Sequence, residues 1–366
     1  MRMSGKGMLG VGIIGASGGW ARLSHVPAVQ KLSGLELTAV AARDRKSADA
    51  AAQQFGAKSG YGNAAEMFSN PDIDIVSVCV TVPDHRALVL GALAAGKHVY
   101  CEWPLGANLA ESEEMAKAAQ AAALHTAIGL QLRKNFAVVR ARDLIASGAI
   151  GRLLTASIYS STAGFGPIVP RPYLYLEDPR NGVNMVTIQG AHTLDFAIAV
   201  LGDLADLAAL NTRQYPEIEA GDDHKRQPRT TFDHVLVQAR MSNGAALAIE
   251  VAGGRPPETP SHLQAVGDKG VLVLQGGAPR GFQSGRLKLF LNGEPQHVDE
   301  GEIASMPDEA ANVASMYAAL RDDILHATFT VPDFDHAVRL TRLMDAELLS
   351  SENGIRRKNS GWPSQL

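Results

Sequence analysis

The stretch LGVGIIGASGGW, residues 9–20, decides the fold. Its first seven residues are apolar or small with no polar alternation, the pattern of a strand buried on both faces. Gly15-Ala16-Ser17-Gly18-Gly19-Trp20 comes next and opens a helical segment expected over about 20–33. Glycines between a strand and a helix let the backbone turn tightly and approach a pyrophosphate, which the free amides at the helix start then hold. The full fingerprint G-x-G-x-x-G would place glycine at 15, 17 and 20, where this chain has Gly15, Ser17 and Trp20. Alone, the loop is compatible with a purely structural turn. The alternating strands and helices beyond Trp20 carry the dinucleotide reading, in which Gly15, Ser17, Gly18, Gly19 and Trp20 form the cofactor loop.

Strand-like runs at 35–42, 73–80, 98–102 and 126–130 alternate with helical segments at 46–55, 85–95 and 110–123. Near-continuous apolar strands separated by amphipathic helices form a parallel sheet wound by right-handed crossovers. Residues 1–130 are thus expected to be a doubly wound α/β Rossmann domain. Asn108, three residues before Glu111, has the form of a helix N-cap. Beyond residue 130 the texture changes. A helix near 136–147 precedes strand-like stretches at 153–162, 234–241, 245–252, 262–267, 270–276 and 287–292, several joined by tight glycine turns such as SNGA and GDKG. Residues 131–366 therefore read as an α+β domain with one large, mostly antiparallel open sheet, closed by helices at about 308–326 and 334–351. The last is a candidate to pack back toward the first domain. Segments 163–190 and 213–232 show no period, and loops of that length in a compact domain are usually functional.

Composition sets outer limits. The 366 residues are 46% hydrophobic, enough for two cores, and 34 basic against 38 acidic side chains give a net charge of −4. No basic field draws such a chain onto nucleic acid, and no helix-turn-helix pattern is evident. No apolar run reaches the roughly 20 residues that span a bilayer. The N-terminal MRMSGKGMLG lacks the apolar core of a secretory leader. Cys79 and Cys101, both in apolar runs, read as reduced thiols, so a cytoplasmic location is expected. Asp222-Asp223-His224 has metal-ligand types but runs straight into KRQPR and reads as a charged loop; no metal is expected.

The end of the second strand bears on cofactor choice. An acid there would accept from the ribose 2′-hydroxyl of NAD, whereas an arginine would welcome the 2′-phosphate of NADP. The chain reads Ala41-Ala42-Arg43-Asp44-Arg45, so Arg43 favours NADP. The alternative gives the NAD role to Asp44, with Arg43 merely solvating the loop.

Val80-Thr81-Val82-Pro83-Asp84-His85 and Ala95-Gly96-Lys97-His98-Val99-Tyr100-Cys101-Glu102-Trp103-Pro104 resemble motifs of the glucose-fructose oxidoreductase / inositol dehydrogenase / rhizopine catabolism superfamily. Those motifs normally read T-P-x-x-H and A-G-K-H-V-x-x-E-K-P. The resemblance implies a nicotinamide cofactor, with Thr81, Pro83, His85 and Glu102 beside it. It also implies catalysis by the lysine of E-K-P and by the Asp and His of a D-x-G-x-H motif. Here Trp103 stands for the lysine and Ile188 for the Asp, while His192 remains, followed by Asp195. Ser17, Trp20, the Glu102-Trp103 pair, Gln131-Leu132-Arg133-Lys134 and Gly182-Val183-Asn184-Met185-Val186-Thr187 are similar to the Gal80-like branch, which implies dinucleotide binding in a ligand-responsive regulator.

Oxidising a carbinol needs a base for the hydroxyl proton and a positive group for the developing alkoxide. An indole at 103 stacks but supplies neither. His192 remains as the candidate base, with Trp103, Lys134, Tyr173, Tyr175 and Asp195 as candidate pocket residues. Asp195 would orient His192, and Arg133 is placed to meet cofactor phosphates, unless it faces solvent. Two readings stand: an NADP- or NAD-dependent oxidoreductase of a sugar, polyol or related hydroxy compound, and a non-catalytic dinucleotide-binding regulator with a protein partner. The resemblance also implies a homodimer through the open sheet.

Overall fold

The computed structural model describes residues 7–277 and 280–365. The first six residues, on which the leader reading partly rests, lie outside them. The chain divides into two compact units, one comprising residues 1–131 and 300–337, the other 132–299 and 338–366. Residues 300–337, grouped with the later domain on sequence, pack with the first unit. The reason is Asp308–His326, a long helix that buries an alanine-rich face including Ala310, Ala314, Tyr317 and Leu320.

In the first unit six strands form one parallel sheet: β1 (Leu9–Ile14), β2 (Leu35–Ala41), β3 (Ser59–Tyr61), β4 (Ile75–Val78), β5 (His98–Cys101) and β6 (Thr126–Ile128), in spatial order β3-β2-β1-β4-β5-β6. Every residue of β1, β4, β5 and β6 is buried, as continuous apolar runs require. Strand β3 has no sequence signal, because its three residues, Ser-Gly-Tyr, carry no periodicity. The helix expected over about 20–33 is two: α1 (Gly19–Leu23) and α2 (His25–Lys31). Pro27 has no N–H to give the Leu23 carbonyl and its ring crowds that carbonyl, so the helix breaks at Ser24. The remaining crossovers are α3 (Arg45–Phe55), α4 (Ala64–Phe68), α5 (His85–Ala94) and α6 (Leu109–Ala122). Asn108 caps α6 by accepting from the Glu111 amide at 3.0 Å. The chain leaves β1 toward β2 on one side and reaches β4 on the other, so the sheet's switch point lies at β1, where such folds bind ligands.

The second unit is built on a nine-stranded mixed sheet, mostly antiparallel. At its centre β7 (Leu153–Ser161) pairs with Ala246–Ala252 on one side and Ser261–Gly267 on the other, and His234–Met241 pairs with Ala246–Ala252 in turn. In–out alternation from Val235 to Met241 leaves one face of the sheet packed and the other open. The open face carries Leu236, Gln238, Ala248 and Gln264. Helices α7 (Phe136–Ala146) and α8 (Ala191–Leu201) belong to this unit, and every residue of α8 is buried. The two aperiodic segments contain a second, three-stranded sheet of Ile168–Val169, Glu217–Ala220 and Lys225–Pro228. Its strands are too short for a pattern to show, and its core is only Val169, Ile218 and Ala220 with Leu174 against them.

Candidate cofactor and ligand sites

The carboxyl ends of β1, β2 and β4 lie level, since Ile14 pairs with both Ala41 and Val78. Gly15 leaves β1 with φ of +82°, and a Cβ there would lie 2.5 Å from the Cys79 carbonyl. Both backbone conformation and space thus demand glycine at that position. Its amide donates to the Ala41 carbonyl at 3.1 Å, and the Gly18 amide returns to the Gly15 carbonyl at 2.9 Å. The turn is tight, with Ser17, Gly18 and Gly19 exposed. The indole N–H of Trp20 is buried without a hydrogen-bond partner among the described residues. A glycine cradle with exposed backbone and an unpartnered donor fits a dinucleotide's phosphates.

At the end of β2, Asp44 caps α3. One carboxylate oxygen accepts from the Ser47 amide and the other from the Ser47 hydroxyl, both at 2.8 Å, and these bonds lower its pKa. Arg45 pairs with Asp49 at 2.8 Å. Arg43 is exposed, with no polar partner among the described residues. Asp44 is therefore engaged within the protein and Arg43 is not.

After β4, Thr81 and Pro83 are exposed, whereas His85 is buried. His85, expected beside the cofactor, has another role. Its Nδ1 meets the Pro104 carbonyl at 2.9 Å and its Nε2 the Val80 carbonyl at 3.1 Å. It ties the Val80–Thr81 turn to the Trp103–Pro104 turn, and burial pushes its pKa down. The peptide bond between Trp103 and Pro104 is cis, and Trp103 is buried. Glu102 accepts a hydrogen bond from His25 Nε2 at 2.9 Å.

In the second unit Arg133 and Asp195 are paired with each other. Arg133 Nε lies 3.0 Å from both carboxylate oxygens of Asp195, both side chains are buried, and Arg133 Nη1 reaches the Ser364 carbonyl at 3.3 Å. A guanidinium so engaged is a structural tie between the Gln131–Lys134 turn and α8, which takes it away from phosphate binding. His192 is buried near the start of α8 and comes directly after a π-helical turn, Val186–Gly190, that carries Ile188 and Gln189. Such turns recur at functional sites. Gln189 accepts from Gln283 at 2.8 Å and donates to the Arg280 carbonyl at 3.2 Å. Lys134 and Tyr175 are half-buried and Tyr173 is exposed. Burial raises the pKa of Tyr175, and its carbonyl accepts from Asn181 at 2.8 Å. Asp222, Asp223 and His224 form the turn of a hairpin, with His224 3.4 Å from Glu219.

Two clusters have no counterpart in the sequence reading. Arg229, wholly buried, binds Glu177, Asp233 and the carbonyls of Phe165 and Gly166, clamping the tyrosine-bearing loop. In the first unit, Ser77, Tyr317 and His25 form a buried line of hydrogen bonds ending at Glu102. A single buried polar side chain leaves no periodic trace, and Tyr317 is far off in the chain, so no sequence signal marks either.

Residues 9–129 match the family profile described as the oxidoreductase family, NAD-binding Rossmann fold, and residues 137–276 match the Gal80p C-terminal domain. The chain is 29% identical to the dehydrogenase AclE of Aspergillus oryzae over 87% of its own length and 88% of that protein's. It is 28% identical to the galactose/lactose metabolism regulatory protein GAL80 of Saccharomyces cerevisiae, over 77% and 70% of the two chains. The crystal structure of the transcriptional regulator Gal80p from Kluyveromyces lactis superposes with a TM-score of 0.82 at 26% identity, covering 96% and 91%. The glycine cradle at the switch point and these matches define an oxidoreductase-fold protein with a nicotinamide-dinucleotide-binding Rossmann domain. The chain belongs to the Gfo/Idh/MocA superfamily and, within it, to the Gal80-like branch.

No helix among the described residues is long and apolar enough to cross a membrane.

Proposed function

We propose that the protein binds NADP(H) through the glycine loop and Arg43, and that its second unit takes a sugar, a polyol or a related hydroxy compound at a catalytically altered site. The observation that carries the cofactor choice is the contrast at the end of β2. Asp44 has both oxygens engaged by Ser47, while Arg43 is exposed and unpaired among the described residues. A 2′-phosphate offers such a guanidinium a charge-assisted, bidentate contact. The cofactor supplies or accepts a hydride. His192 is the residue of this chain assigned to hold the hydroxyl proton, and Trp103, Lys134, Tyr173 and Tyr175 are assigned to shape the pocket. The two buried-run thiols support a reducing, cytoplasmic setting. The open face of the large sheet, where Leu236 and Ala248 stand exposed among polar residues, supports a homodimer.

A second reading is favoured by a specific observation. Trp103 and Ile188 stand where the superfamily motifs carry a lysine and an aspartate, and neither side chain can transfer a proton. On this reading the protein is a dinucleotide- and ligand-responsive regulator with a protein partner. Nicotinamide absorbance, monitored with NADP and a panel of aldoses and polyols, separates the two. Turnover abolished by His192→Ala supports the oxidoreductase. Cofactor binding without turnover across the panel supports the regulator.

A further inference from the structure

Behind the Glu102 turn lies a line of buried polar groups. Ser77 Oγ is 2.6 Å from the Tyr317 hydroxyl, which is 2.8 Å from His25 Nδ1, and His25 Nε2 is 2.9 Å from Glu102 Oε1. Ser77, Tyr317 and His25 are completely buried, and the rings of His25, Tyr100 and Tyr317 pack against one another. The acceptor at the end sets the direction of these bonds. A carboxylate only accepts, so His25 Nε2 donates to Glu102; with a neutral imidazole, Nδ1 accepts from Tyr317, whose oxygen accepts from Ser77. Ser77, Tyr317 and His25 are each partnered along the line. Gly129 makes room for it, since a Cβ there would come within 2.8 Å of Glu102 Oε1. The Glu102 side chain is 18% exposed, and its other oxygen has no partner among the described residues.

The pyrophosphate cradle is at β1, and Arg43 at the end of β2 lies on the adenosine side. The nicotinamide half then falls on the opposite side, over the ends of β4 and β5, where Glu102 succeeds β5. We propose that His25, backed by Tyr317 and Ser77, is a positioning residue that fixes the Glu102 carboxylate so that its open oxygen accepts a hydrogen bond from a hydroxyl or amide N–H on the nicotinamide half of the dinucleotide. This rests on the proposed dinucleotide binding. It makes a residue of the Asp308–His326 helix, far along the chain, a determinant of cofactor affinity.

Fluorescence titration with NADPH tests it. His25→Phe keeps a ring but loses both bonds, and is expected to raise the dissociation constant about tenfold. His25→Gln keeps an N–H donor within reach of Glu102 and is expected to stay within about threefold of the wild type. That ranking follows donor capacity, which a purely structural role would not reproduce. In a Glu102→Gln background, His25→Phe is expected to add nothing. Should His25→Phe prove unfolded by circular dichroism, Tyr317→Phe carries the test with an expected weakening of a few fold. Wild-type affinity in His25→Phe, or a full additional loss in the double variant, overturns the inference alone. Failure of the wild type to bind either dinucleotide overturns both it and the proposed function.

Discussion

Arg133 and Asp195 form an ion pair in which one guanidinium nitrogen sits 3.0 Å from both carboxylate oxygens, with both side chains buried. Removing one partner strands a charge away from water, which costs about 3–5 kcal/mol. Asp195→Ala is therefore expected to lower unfolding stability by that amount in urea titrations. Replacing both residues together with apolar ones of similar volume should restore most of it. Equal losses in the single and double variants would contradict the pairing.

Glu347 predicts a pH dependence. It is completely buried, burial raises its pKa to about 7, and the Asn211 amide at 3.3 Å only partly offsets this. A carboxyl whose folded pKa lies above the unfolded value of 4.5 costs stability wherever the unfolded chain ionises first. The stability present below pH 4.5 thus declines as pH rises and is lost above about pH 7, a difference of about 3 kcal/mol. Chemical denaturation across about pH 5–9 should show Glu347→Gln more stable than wild type at about pH 8.5, with a flatter profile. A wild-type advantage at that alkaline end would contradict this.

Arg43 and Asp44 are expected to separate cleanly. Arg43→Ala should weaken NADPH binding about tenfold and leave NADH unchanged, as loss of a charge-assisted contact to the 2′-phosphate requires. Asp44→Ala should instead lower the melting temperature through loss of the α3 cap, without changing NADH affinity. Paired calorimetric titrations and thermal melts read both effects.

Gly15→Ala should be costly to both fold and binding. Its φ of +82° and the 2.5 Å approach to the Cys79 carbonyl leave no room for a methyl group. The expected loss is about 1–3 kcal/mol in thermal or chemical unfolding, accompanied by loss of dinucleotide binding.

The open sheet face predicts assembly. Light scattering at micromolar concentration should return twice 38.7 kDa, and an aspartate at Leu236 should shift the mass toward the monomer. A monomer mass for the wild type would contradict the dimer.

Legibility tracked pattern length. Strands such as Leu9–Ile14 and His234–Met241, and the helix Asp308–His326, declare themselves by long apolar runs, alternation or helical period. The strand Ser59–Tyr61 and the small sheet around Ile218 are too short to do so. Pro27 is visible in the first helix, and its consequence, the break at Ser24, stems from the missing N–H. In the site, the requirement for glycine at Gly15 is legible because it depends on local backbone. The hydrogen bond from His85 to the Pro104 carbonyl, beyond the next strand, and the pairing of Arg133 with Asp195, 62 residues on, leave no mark in the sequence because each depends on a partner brought close only by folding. His25 and Tyr317 are 292 residues apart and meet only in the folded chain.

The most direct test is a pair of calorimetric titrations of the purified protein, one with NADPH and one with NADH. The proposed function predicts that both bind at the glycine loop and that NADPH binds more tightly by virtue of Arg43. Tighter binding of NADH, or no binding of either, would contradict it.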